Sequence, residues 1–215
     1  MSLVQKKYRR LLSELIYVES EYRHVKGILK EAHVEFEEYY QQYCKENRVP
    51  LGELNKKHSE KLKKIFPKNK QQVDEAGIVQ HEKAEIKKEK VDKTLQKMYR
   101  KAATMTHPDK FSDSEDSEAQ SAADTFKKLT SAFNEKRWAS FLDICEKLDI
   151  LPSTYKKVLE IMKTERETTK YKTKKLKLSF SWRLMDCDDD ERCKSDLIKN
   201  FLFQIFGYEK KILVI

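Results

Sequence analysis

The chain has 215 residues, with 45 Lys or Arg against 36 Asp or Glu and a net charge of +9. Charged residues make up 38% of it, where an ordinary globular chain has roughly a quarter; Gly and Pro number only four each, about a third of their average usage. Sheet folds built on tight turns are thereby excluded. Ten Phe, ten Tyr and two Trp argue against disorder, so the expected class is all-α.

The first 48 residues predict one long helix. Val4, Tyr8, Leu11, Leu15, Val18, Tyr22, Val25, Leu29, Ala32, Phe36, Tyr39 and Tyr43 follow one another at steps of three and four. A 3.5-residue period of this length calls for a coiled-coil partner. The aromatic seam suits an antiparallel hairpin within one chain better than a parallel homodimer through these heptads, which stays as the alternative. Gly27 is its weak point.

Val49-Pro50-Leu51-Gly52 ends that helix, because proline removes a donor and disfavours helix at the residue before it. Residues 49–90 read as a lysine-rich connector, broken again at Phe66-Pro67. Residues 91–150 read as an antiparallel helical hairpin. Leu95, Met98, Ala102 and Met105 share one helical face, with Lys93, Lys97, Arg100 and Lys101 centred on the other. His107-Pro108 stops this helix, and Asp109-Lys110 open an acidic loop. Phe126, Leu129, Ala132 and Phe133 then face inward on a second stretch, and Trp138, Phe141, Leu142, Cys145 and Leu148 continue as a third.

Residues 151–215 read as a helical C-terminal arm and tail. A poorer heptad run, Leu151, Tyr155, Val158, Met162, Glu165, Thr169, Lys172 and Leu176, could pack along the first helix. Leu176, Leu178, Phe180 and Trp182 alternate with polar residues at a strand-like period of two, so short strands paired with Lys210 to Ile215 stay open there. Leu197 to Phe206 reads as core rather than as a membrane contact.

The sequence from Leu95 to Lys110, a helix carrying Tyr99-Arg100-Lys101 that runs into His107-Pro108-Asp109-Lys110, resembles the J-domain of DnaJ-type co-chaperones. Phe126, Leu129, Ala132 and Phe133 fall where that family's third helix has its inward residues. The resemblance covers about 60 residues and lacks the family's usual first helix, Gly/Phe linker, CxxC zinc repeats and client-binding β-domain. The chain is thus similar to the small, divergent members, some of them carried by tailed phages.

The resemblance implies a protein that binds the ATPase of a DnaK-type heat-shock chaperone and stimulates its ATP hydrolysis, and that is not itself an enzyme. Lys97, Arg100 and Lys101 would meet an acidic groove, giving steering and orientation. Asp109 would accept charge-assisted hydrogen bonds, with Pro108 fixing the turn, His107 holding its geometry, Lys110 beside them and Tyr99 supporting the tip from within. The helical arms would select an unidentified client or assembly.

Other readings have weaker signals. The missing first helix would suit a coiled-coil adaptor with a degenerate J-like hairpin. Lys170 to Lys177 offers only charge to a nucleic acid, which is not the expected partner. Glu21-Tyr22-Arg23-His24 has Glu-x-x-His spacing without the second copy a di-iron bundle needs, so neither metal nor cofactor is expected. Cys44, Cys145, Cys187 and Cys193 form no CxxC pair, and the acidic stretch between Cys187 and Cys193 reads as an exposed turn. With no apolar run near the ~20 residues that span a bilayer, the expectation is a soluble protein of a reducing, cytoplasmic compartment.

Overall fold

The computed structural model describes residues 1–65, 91–111 and 116–209. These residues are mostly helical, with no strand among them. The helices are α1 (Leu3–Glu46), α2 (Leu51–Ile65), α3 (Lys93–Thr106), α4 (Asp116–Asn134), α5 (Trp138–Lys147), α6 (Tyr155–Lys177), α7 (Phe180–Met185) and α8 (Glu191–Phe206). A 3-10 turn, Pro108–Phe111, follows α3. The described residues fall into two compact units, one from 1–25 and 91–174, the other from 26–65 and 175–209.

With so few glycines, the helices stop by other means. Arg48, Lys136 and Asp149 take φ of 53°, 55° and 53° after α1, α4 and α5. In each case the next amide donates back across the last turn at 2.8 Å: Val49 to the Cys44 carbonyl, Arg137 to Ala132 and Ile150 to Cys145. These are Schellman closures, ordinarily built on glycine because a left-handed residue with a Cβ is strained. Only α8 uses Gly207, at φ 66°.

The core of the first unit gathers Tyr8, Leu11, Leu12 and Leu15 of α1 with Leu95, Met98 and Ala102 of α3, Leu129 and Ala132 of α4, Phe141, Leu142 and Cys145 of α5, and Val158 and Met162 of α6. Within this unit α6 runs parallel to α1. Tyr8 meets Tyr155 edge-on at 5.6 Å, Glu14 pairs with Arg166 at 2.5 Å, and Glu19 acts on Glu165. The second heptad run does pack on the first helix, but the expected antiparallel direction is wrong. The helices α3, α4 and α5 of the same unit bring the chain back beside Tyr8, so α6 starts near the same end as α1 and no tight hairpin joins them.

The core of the second unit is aromatic. Phe36 and Tyr40 of α1 surround Phe201 of α8 at 5.1 and 5.2 Å, and Phe180 of α7 meets the same ring at 5.1 Å. Cys44, Leu184, Leu197, Ile198 and Leu202 complete it, with α2 packed against α8. Within Leu197 to Phe206, Leu197, Ile198, Phe201 and Leu202 thus face this core while Phe203 and Ile205 are exposed, and no described helix is long and apolar enough to cross a membrane.

Three further expectations are corrected here. Tyr40 and Cys44 are buried where the heptads placed Tyr39 and Tyr43, and Val4 is exposed; an undistorted helix drifts ~20° per heptad from a 3.5-residue seam, so the buried stripe slides by one residue. Leu176 to Trp182 holds the end of α6, a turn at Leu178 and Ser179 and the start of α7 rather than a strand, because Ser179 accepts from the Trp182 amide at 3.3 Å and restarts the chain as α7; Lys210 to Ile215, the suggested partner strand, lies outside the described residues. Cys187 and Cys193 are joined in a disulfide, with Cα atoms 5.5 Å apart.

Candidate partner-docking site

α3 begins at a good cap and ends in a stop. Asp92 accepts from the Thr94 amide at 2.8 Å. Leu95, Met98, Ala102 and Thr106 are buried against α4 and α5. Thr106 takes the place expected for Met105, which is 41% exposed; the Thr106 hydroxyl donates to the Ala102 carbonyl at 2.9 Å, which lets a polar residue close the buried face. Lys93, Lys97, Arg100 and Lys101 are all exposed on the opposite side.

His107 leaves the helix with extended backbone, and Pro108 enters the 3-10 turn, where its missing N–H costs nothing. The Lys110 amide donates to the His107 carbonyl at 3.1 Å, which closes the turn. His107 Nδ1 lies 3.4 Å from both the Asp109 amide and its carboxylate. Asp109 itself is presented outward, its side chain 87% exposed. His107, Pro108, Asp109 and Lys110 thus sit together on one short turn at the end of the basic helix.

α4 runs antiparallel to α3, since Tyr99 stacks on Phe133 at 4.3 Å while His107 meets Phe126 edge-on at 5.3 Å. Tyr99, half-buried, with its hydroxyl 3.4 Å from that of Thr130, holds the helix pair two turns before the tip. The side chain that touches the tip from within is Phe126, a supporting role the sequence reading gave to Tyr99. The inward spacing of Phe126 with Leu129 and Phe133 was the available signal. A hollow of about 460 Å³ beside the turn is lined by Met105, Phe111, Ala122 and Leu148 among others.

The same unit holds a second concavity that the sequence did not announce. A cleft of about 690 Å³ is lined by Glu19, Arg23, Trp138, Glu165 and Lys172. Glu165 reaches from α6 to accept from the Trp138 amide at 3.2 Å and so caps α5. Burial first, and Glu19 next, push its carboxyl up to about 7, against the α5 amides and Lys172. Its Oε2 is buried without a hydrogen bond. Tyr8 Oη is in the same condition, and burial holds that phenol well above its ordinary range.

No metal-binding cluster occurs among the described residues, and Glu21 and His24 gain no second pair. The exposed turn offers rigid acceptors and the α3 face offers cations, which is equipment for recognition. No protein-family model, curated protein or solved structure matches this chain.

Proposed function

We propose that this protein is a J-domain co-chaperone that binds the ATPase of a DnaK-type heat-shock chaperone and stimulates its ATP hydrolysis. The observation that carries the reading is the His107-Pro108-Asp109 turn, seated on Phe126 and displaying Asp109 at the end of a helix whose free face is Lys93, Lys97, Arg100 and Lys101. The absent first helix of the family pattern has a physical counterpart. Tyr8, Leu11, Leu12 and Leu15 of α1 cover the apolar side of the hairpin, so it does not need the missing helix in order to be buried.

In this reading the basic face steers the complex and the turn delivers a carboxylate to donors on the chaperone. The protein activates another's chemistry and performs none, needs no cofactor, and works in the cytoplasm. Its heptad stripe supplies intrachain packing: Tyr8 to Leu15 lie in one core and Phe36, Tyr40 and Cys44 in the other. The client engages the remaining helices.

Binding of the ATP-loaded chaperone to immobilised protein tests the reading. Asp109→Asn should weaken binding by at least about tenfold, as expected for a charged interface group that loses its charge, with the melting temperature unchanged because the side chain is exposed. Equal binding by the variant would remove the turn from the interface. The adaptor reading, favoured by the segment before Val91 with its lack of Tyr and Leu-Gly, would then take its place.

A further inference from the structure

We infer that Cys187 and Cys193 form a reversible thiol–disulfide site, whose state sets how firmly the α7–α8 corner is held against the part of α1 in its own unit. The pair is asymmetric. Cys187 follows Asp186, the residue that caps the end of α7, and is 6% exposed, whereas Cys193 lies exposed in the first turn of α8. An attacking thiolate thus has one approachable side. The other two cysteines offer no competing chemistry, since Cys44 and Cys145 are buried and burial pushes their thiols up to about 11 and about 12.

The corner that the bond closes carries opposing features. Asp188, Asp189, Asp190 and Glu191 are four consecutive exposed carboxylates that repel one another. Asp188 sits at φ 48°, in the left-handed region. Against this stand backbone bonds such as Asp190 N–H to the Cys187 carbonyl at 2.9 Å, and the Asp190 cap on α8. The corner nevertheless makes specific contacts to α1. Glu191 accepts from the Tyr39 hydroxyl at 2.9 Å, and the Lys194 ammonium lies 5.9 Å from the centre of the same ring. Opening the corner would release Tyr39.

The exchange partner is a dithiol. One of its thiolates attacks Cys193 Sγ, the bond to Cys187 Sγ breaks, and Cys187 leaves as a thiolate that takes up a proton. The second thiol of the partner then attacks the mixed disulfide and frees Cys193, which is protonated in turn. Two electrons and two protons have passed to the cysteine pair, and the partner has become a disulfide. The reverse path, with the oxidised partner, restores the bond. The acidic loop disfavours the glutathione thiolate, which carries further carboxylates, more than the singly charged thiolate of dithiothreitol, so added salt should speed exchange with glutathione more than with dithiothreitol.

The test uses the full-length native protein equilibrated in dithiothreitol redox buffers, followed by thiol alkylation with mass readout and by amide hydrogen exchange. The protein should interconvert between two and four free thiols at a rate proportional to dithiothreitol. In the reduced form, amides at Cys193 and Lys194 should exchange about tenfold faster or more, while those of α3 stay unchanged. A Cys187→Ser, Cys193→Ser double variant should match the reduced form whether or not reductant is present. Four thiols under oxidising buffer, reduction that saturates at the global unfolding rate, or equal amide exchange in the two states would each overturn the proposal.

Discussion

Glu165→Gln isolates a single carboxyl whose two states differ most in the folded protein. Its Oε1 accepts from the Trp138 amide, so α5 is capped from α6. Glu19 of α1 faces it while accepting from the Ser140 hydroxyl at 3.3 Å, and Lys172 is the cation that acts on it. Burial and Glu19 raise the carboxyl from 4.5 to about 7. Between those values the native protein holds a proton that the unfolded chain has given up. Stability from this group is therefore fully present below the unfolded value and is lost as pH rises through about 7. The full displacement corresponds to about 3 kcal/mol, and solvent entering the open cleft reduces this to about 2 kcal/mol.

Glutamine keeps the acceptor and removes the titration. Urea unfolding from pH 4.5 to pH 8 should show the variant equal to the unaltered protein at the acid end and about 2 kcal/mol more stable at pH 8. Glu14 and Glu135, whose carboxyls their Arg and Ser partners hold below the ordinary value, tilt both curves alike and cancel in the difference. A constant offset across the range, or a variant that loses stability as pH rises, would refute the reasoning.

Other outcomes follow from the same packing. Tyr8→Phe should be neutral or stabilising by up to about 1 kcal/mol, because the buried hydroxyl has no hydrogen bond to lose; a loss larger than that in denaturant unfolding would mean that the hydroxyl is satisfied. Leu129→Ala, at a fully buried position between the hairpin helices, should cost about 2–5 kcal/mol, and a smaller loss would show that the site collapses around the gap. Lys97→Glu with Arg100→Glu should slow association with the chaperone about tenfold at low salt and leave dissociation nearly unchanged. A stopped-flow association rate that does not change would place docking on another face.

Much of this architecture can be read from residue order. Composition points to helices, Val49-Pro50 to the end of α1, and the spacing of Leu95, Met98 and Ala102 to the buried face of α3. What escaped reading has identifiable causes. Tyr39 and Tyr40, like Tyr43 and Cys44, are both apolar neighbours, and only the drift of an undistorted helix against a 3.5 repeat selects the second of each pair. Leu176 to Trp182 satisfies a strand pattern, yet Ser179 as a cap overrides it locally. The parallel course of α6 depends on where α3, α4 and α5 return the chain, which no local pattern encodes. The His-Pro-Asp turn was legible as a motif, whereas its seat on Phe126, the cleft around Glu165 and the Cys187–Cys193 bond exist only once the helices have packed.

Single-turnover ATP hydrolysis by a DnaK-type chaperone, with the unaltered protein and its His107→Gln variant side by side, bears most directly on the proposed function. Acceleration by the unaltered protein and none by the folded variant is the predicted result. Equal hydrolysis rates with both proteins, each shown to be folded, would contradict it.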